Sequence, residues 1–129
     1  MALHLERVDD ASEGARTLWN ELIEGSRGLR GAHAILDDLG DVEGLIDRRS
    51  LWIGREGEPV SLAVLEQGIV KVLYVARGHR RRGVGRATLA ELLVQANPVD
   101  AWALPGDRAS KSLYESVGWR ARLLTMRGD

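Results

Sequence analysis

The sequence predicts a mixed α/β domain built on one sheet with helices on both faces. Three observations lead there. Short apolar runs alternate with stretches of helical spacing along the 129 residues. The run Ile69–Ala76, with Ile69, Val70, Val72, Leu73, Tyr74 and Val75, reads as a central strand buried on both faces. That strand leads straight into a basic, glycine-rich loop that opens a helix.

The elements follow in order. Residues 2–8 alternate weakly and read as a first strand. Asp9, Asp10 and Ser12 offer an N-cap to a helix with Ala15, Leu18, Trp19, Leu22 and Ile23 on one face, ending near Gly25–Ser26. Gly28, Gly31 and Gly40 make 27–40 a loop with a short helix around Ala34–Asp38, and Val42, Leu45 and Ile46 mark another helix that ends near Arg49. Leu51–Gly54 and Val60–Leu65 flank the turn Glu56–Gly57–Glu58–Pro59, a β-hairpin. After the central strand, a helix is predicted from Gly83 to Ala96, a strand over Val99–Leu104, and a break at Pro105–Gly106. Asp107 then caps a helix with Ala109, Leu113, Tyr114 and Val117, closed by Gly118, and Trp119–Met126 reads as a last strand.

Composition narrows the chemistry. At 44% hydrophobic and 29% charged, the chain can bury a core as a single domain over 1–129. It has no cysteine, which removes disulfides, thiolate metal sites and a Cys nucleophile. No apolar run approaches a membrane span, and Met1–Asp10 lacks the apolar core of a signal peptide, so a cytoplasmic protein is expected. Up to Glu66 there are 14 acidic and 7 basic side chains; from Gln67 on there are 5 and 11. The second half could therefore draw an anion, and the first hints weakly at a cationic acceptor.

The loop Arg77–Arg86 carries the chemistry. The first N–H groups of a helix lack intrahelical partners, the helix dipole adds positive potential, and glycines let a large anion approach the backbone. A P-loop is ruled out, because Arg86 and Ala87 follow Gly85 in place of Lys and Ser or Thr. A dinucleotide fingerprint is ruled out too: Thr88 occupies its last position and the turn from Ala76 to Arg82 is too long.

Arg80–Arg81–Arg82–Gly83–Val84–Gly85 instead matches Arg/Gln-x-x-Gly-x-Gly/Ala. This resembles the acyl-CoA pyrophosphate loop of the GNAT superfamily of N-acetyltransferases. Leu73–Tyr74–Val75 looks like the family's splayed strand. The stretch from Gly106 to Trp119, containing Asp107, Ala109, Ser110, Lys111, Leu113, Tyr114 and Gly118, is similar to its Asn-x-x-Ala-x-x-Leu-Tyr-x-x-x-Gly-Phe block. The resemblance spans Ile69–Trp119.

The resemblance implies a mostly antiparallel sheet that splays like a V. It also implies acetyl transfer from acetyl-CoA, as co-substrate and without a metal, to a primary amine of a small molecule or peptide. Backbone groups of Leu73 and Val75, beside Tyr74, would pair with the pantetheine arm. Amides from Arg81 through Arg82, Gly83, Val84 and Gly85 to Arg86, following Arg80, would hold the pyrophosphate. Tyr114 would protonate the departing thiolate. Ser110 and Lys111 would border the cofactor's other end, and His79 would sit exposed beside the loop with no chemical role.

Departures from the family pattern bear on mechanism. Asp107 replaces the usual Asn, which puts its contact with the pantetheine arm in doubt. The strand positions Ile69 and Lys71, where the family often has a base, carry neither carboxylate nor imidazole. Glu66 acting through water, or a Lys71 with its pKa lowered by burial, are the options; Lys71 more simply reads as an exposed or ion-paired strand residue. The chain has room for one strand after the tyrosine helix where the family usually has two, and the open edge suggests a homodimer joined there. His33, Asp37 and Asp38 could face the acceptor. Two alternatives stand beside the enzyme: a non-catalytic acyl-CoA-binding module, and a nucleic-acid binder using the arginine run. The latter lacks interleaved aromatics, so no nucleic acid and no membrane partner is expected.

Overall fold

The computed structural model describes residues 2–10, 13–104, 107–124 and 126. The chain runs β1 (His4–Arg7), α1 (Glu13–Ser26), α2 (Ala32–Leu39), α3 (Val42–Asp47), β2 (Leu51–Glu56), β3 (Glu58–Glu66), β4 (Ile69–Val75), a single 3-10 turn (Arg77–His79), α4 (Val84–Gln95), β5 (Asp100–Ala101) and α5 (Arg108–Ser116). The five strands form one sheet in sequence order. All pairs are antiparallel except β4 with β5.

Local chemistry sets the turns. Gly57, at φ 79°, closes the β2–β3 hairpin. Gln67 and Gly68, at φ 54° and 77°, make the two-residue β3–β4 turn, whose consecutive positive φ values match the twist of the strands. Asp41 caps α3 by accepting a hydrogen bond from the Gly44 N–H at 2.8 Å. The expected cap at Ser12 lies outside the described residues.

The sheet is covered on both faces, as predicted. Leu51, Ile53, Leu62 and Val64 pack with Leu18, Trp19 and Leu22 of α1 and Leu45 of α3. The alternate positions Trp52, Ala63 and Val70 pack with Leu5 and with Leu92 of α4 on the other face. Strands β2 and β3 therefore read as continuous apolar runs.

Two predicted strands change. The run 99–104 pairs with β4 only at Asp100 and Ala101, because β4 and β5 then diverge. Trp119–Met126 forms no strand among its described residues, and Leu123, Leu124 and Met126 are exposed. The strand expected to join a homodimer is therefore not formed among the described residues. Position 125 and the break at 105–106 lie outside the described residues.

A buried hydroxyl pair ties α4 to β3. Thr88 Oγ1 donates to the Val84 carbonyl at 2.8 Å, so at 2.7 Å it accepts the proton of Ser61. Both residues are fully buried. Thr88→Val keeps the shape and leaves Ser61 unpaired. It should lower unfolding free energy by about 1–3 kcal/mol in urea titration, and adding Ser61→Ala should restore most of that loss.

Candidate active site

The site begins at a defect in β4. Val64 faces Val72 and Leu65 faces Val70, so Lys71 is an extra residue, a β-bulge. Before the bulge, the Val70 carbonyl accepts the Trp102 N–H at 3.0 Å, on the β5 side. After it, the Ala76 N–H donates to Val60 on β3 at 2.9 Å. Alternation along the ladder then turns the backbone groups of Leu73 and Val75 away from β3 and into the gap left where β5 diverges. The Val75 carbonyl is off the ladder, since it accepts from Arg80 Nε at 3.1 Å. The V-shaped opening thus exposes the two backbone positions named from the sequence.

A cavity of about 680 Å³ fills the gap. Its walls include Leu73, Tyr74 and Val75 on one arm, Trp102, Ala103 and Leu104 on the other, and Arg80, Arg81, Gly83, Val84, Gly85 and Arg86 at one end. At that end α4 starts from Gly83, a left-handed N-cap at φ 78° with no side-chain cap. The first N–H groups of α4, like those of α2, meet no side-chain cap, whereas α3 and α5 begin on Asp side chains; those of α4 open onto the cavity end. Arg81, also at φ 62°, holds a conformation that costs a non-glycine residue roughly 1–2 kcal/mol. Strain of this kind concentrates at ligand-binding loops.

The arginines divide. Arg80 lies over the Tyr74 ring at 5.2 Å. Arg82 donates to Glu56 at 3.2 Å and meets His79 Nδ1 at 2.6 Å, and it is not part of the cavity wall. Arg86 reaches the Ser116 carbonyl at 3.4 Å. Arg81 has no side-chain partner among the described residues. His79 differs from expectation: it lines the cavity and pairs with Glu58 at 3.1 Å.

Helix α5 closes one side. Asp107 accepts from the Ser110 N–H at 3.1 Å and from its hydroxyl at 2.7 Å, so both groups are engaged in capping. Both still line the cavity, whereas Lys111 does not. Tyr114 also stands off the wall, stacked on Trp119 with ring centroids 5.9 Å apart. Its hydroxyl is buried with no hydrogen-bond partner among the described residues. Burial, with the Asp107 carboxylate adding to it, pushes the Tyr114 phenol well above its ordinary value of 10.

At the other end, the stretch 27–40, where the sequence suggested acceptor contacts, contributes Leu29, Ala32, Ile35 and Leu36 to the wall; the polar candidates His33, Asp37 and Asp38 do not line it. Lys71 is buried. It donates to Asp38 at 2.7 Å and to Glu66 at 3.2 Å, and its ammonium lies 5.0 Å from the centre of the Trp102 ring. Glu66 also accepts from Arg48 at 2.8 Å and from Ser50 at 2.9 Å. Burial pulls the Lys71 pKa down, but the hydrogen bonds and charges of Asp38 and Glu66 outweigh it, leaving the ammonium above its usual 10.5. That overturns a Lys71 made basic by burial. Burial likewise raises the Glu66 pKa, and its three donors outweigh it and hold the carboxyl below 4.5. A lone Lys inside an apolar strand was the signal for this network. On the outer face, Tyr74 donates to Glu21 at 2.8 Å, and burial followed by that bond raises its pKa.

The depressed Glu66 pKa gives a stability contribution present above about pH 4.5 and lost as pH falls through the lower folded value. The urea midpoint should therefore fall on the acid side, and Glu66→Gln should flatten that acid limb while lowering the midpoint at neutral pH.

No family model matches the chain. It is 41% identical over 83 residues to mycothiol acetyltransferase of Clavibacter sepedonicus, a match covering 59% of this chain and 27% of that protein. The corresponding protein of Clavibacter michiganensis subsp. michiganensis is 37% identical over the same length. The chain thus spans about a quarter of the length of these curated relatives. Among solved structures it resembles a ribosomal-protein-alanine N-acetyltransferase from Brucella melitensis biovar Abortus (TM-score 0.65, 18% identity, 99% of this chain and 98% of that one). It also resembles a GCN5-related N-acetyltransferase from Ralstonia eutropha (0.61, 19%, 99% and 97%). A third likeness is to diaminobutyrate acetyltransferase from Paenibacillus lautus, solved with L-2,4-diaminobutyric acid and coenzyme A (0.58, 23%, 90% and 74%). No helix among the described residues is long and apolar enough to cross a membrane, and none of their His, Asp and Glu side chains cluster as a metal site. With its bulged and splayed β4 running into an uncapped α4, the chain has the fold of the GNAT N-acetyltransferases.

Proposed function

We propose that this chain transfers the acetyl group of acetyl-CoA directly to a primary amine. The observation that carries this reading is the continuity of one cavity, from the uncapped N–H groups of α4 to the gap-facing backbone of Leu73 and Val75. A pyrophosphate fits the first and an extended amide-bearing arm fits the second. The relatives' names and coenzyme A in a neighbour's structure support the same donor.

In this reading the pantetheine arm lies along β4 as an added strand, and a β4 N–H facing the gap polarises the thioester carbonyl. The amine lone pair attacks the carbonyl carbon, and a C–N bond forms. The tetrahedral intermediate collapses, the C–S bond breaks, and the electron pair leaves on sulfur. Tyr114 supplies the proton to that thiolate, the nitrogen loses its own proton to water, and water returns a proton to Tyr114. Its hydroxyl is unengaged among the described residues, which suits a donor awaiting the sulfur. The role requires the sulfur to seat against the wall at Asp107 and Leu113.

The nucleic-acid alternative loses support, since Arg80, Arg82 and Arg86 are turned onto groups of the protein itself.

Calorimetric titration with acetyl-CoA tests the donor. The parent should bind, and Gly83→Glu should abolish binding while costing only about 1–2 kcal/mol of stability from its left-handed backbone. No binding by the parent overturns the proposal. Tyr114→Phe should lower kcat about 100- to 10,000-fold with unchanged acetyl-CoA affinity. An unchanged kcat would assign thiolate protonation to solvent.

A further inference from the structure

We infer that the acceptor is a primary amine borne on an apolar body, alkyl or aryl, with no second positive charge inside the cavity. This rests on the acetyltransferase reading and specifies the acceptor end of the same site.

The argument is an inventory of polar groups. Away from the pyrophosphate cradle, the wall is formed largely by Leu22, Leu29, Ile35, Leu36, Trp102 and Leu104. Apart from the α5 residues Asp107 and Ser110, three polar side chains interrupt it, and each is already engaged within the protein. Ser26 Oγ donates to the Leu22 carbonyl at 2.8 Å. Tyr74 Oη donates to Glu21 at 2.8 Å. Lys71 directs two of its three N–H groups to Asp38 and Glu66 and lies against the Trp102 ring.

Carboxylates are what a polyamine or a multiply charged sugar would need, and they are missing where they would count. Asp107 is the one carboxylate among the described lining residues, and it caps α5. Asp38 and Glu66 are not lining residues and are paired with Lys71, which does line the cavity. The acidic surplus of residues 1–66 therefore does not select a cation here. A second ammonium at this end would lose its hydration and meet Lys71, with no anion to compensate. A methylene chain or ring would instead displace water from leucine, isoleucine and tryptophan surface.

Hexylamine and 1,5-diaminopentane test this directly. They share length and reacting head and differ by a terminal methyl against an ammonium. With saturating acetyl-CoA, the KM for hexylamine should be at least about tenfold lower. Ile35→Asp, which places a carboxylate on the wall, should shrink or reverse that ratio. Equal or better use of the diamine overturns the inference and leaves the acetyltransferase reading standing. So does failure to use either amine by protein that binds acetyl-CoA. Failure to bind acetyl-CoA overturns both.

Discussion

The site depends on one constraint: β4 has a partner on its second edge for only two residues. Ile69 and Val70 pair with Asp100 and Ala101, and beyond them the strands part. A strand edge lying inside a fold is costly unless something meets its N–H and C=O groups. Here the bulge at Lys71 changes which residues present those groups, so that Leu73 and Val75 face the gap. Arg80 meets the Val75 carbonyl, and the cavity holds the remainder open to a ligand. The same strand ends at the turn that leads into α4. On the proposed reading, one partly open edge therefore lines up two kinds of backbone recognition, a β-edge for an extended chain and a helix N-terminus for an anion.

The cavity's two ends obey opposite electrostatic rules. At the α4 end, backbone N–H groups and Arg81, unpartnered among the described residues, leave positive potential uncompensated. At the other end, charge is cancelled locally by Lys71, Asp38, Glu66 and Arg48, two of each sign. The rest of the acidic surplus is partly absorbed on the surface, where Glu43 pairs with Arg16, Glu6 with Arg55 and Glu56 with Arg82. A net charge counted along the sequence thus says little about the field inside the cavity, which is set by a few buried geometries.

This explains what the sequence made legible. Helix and strand signals repeat within a few residues, so the β2–β3 hairpin, β4, α4 and the capped α5 were readable from periodicity and turn chemistry. The uncapped start of α4, proposed as the phosphate cradle, was readable because it lies in one contiguous glycine-rich loop. Strand pairing is different in kind. Whether Val99–Leu104 or Trp119–Met126 becomes a strand depends on a neighbouring edge, which no local pattern encodes, and both were over-read. The Lys71 network joins α2, the α3–β2 connection, β3 and β4, so its members lie too far apart in sequence to announce one another. Tyr114 shows the reverse: a motif fixes its position on α5, while the stacking on Trp119 that sets it behind the wall is a tertiary fact.

The absence of a base on β4 follows from the same packing. A carboxylate at position 71 would accept the amine's proton and also hold a charged acceptor. The ammonium found there, kept protonated by Asp38 and Glu66, does neither. Yet an amine must be neutral to attack. Desolvation supplies an alternative, because burying an alkylammonium against leucine, isoleucine and tryptophan disfavours its charged form and lowers its pKa. On the proposed reading, an apolar acceptor end therefore has two effects. It selects amines that carry apolar bodies, and it releases their proton to water as they enter, so that specificity and activation arise from one surface.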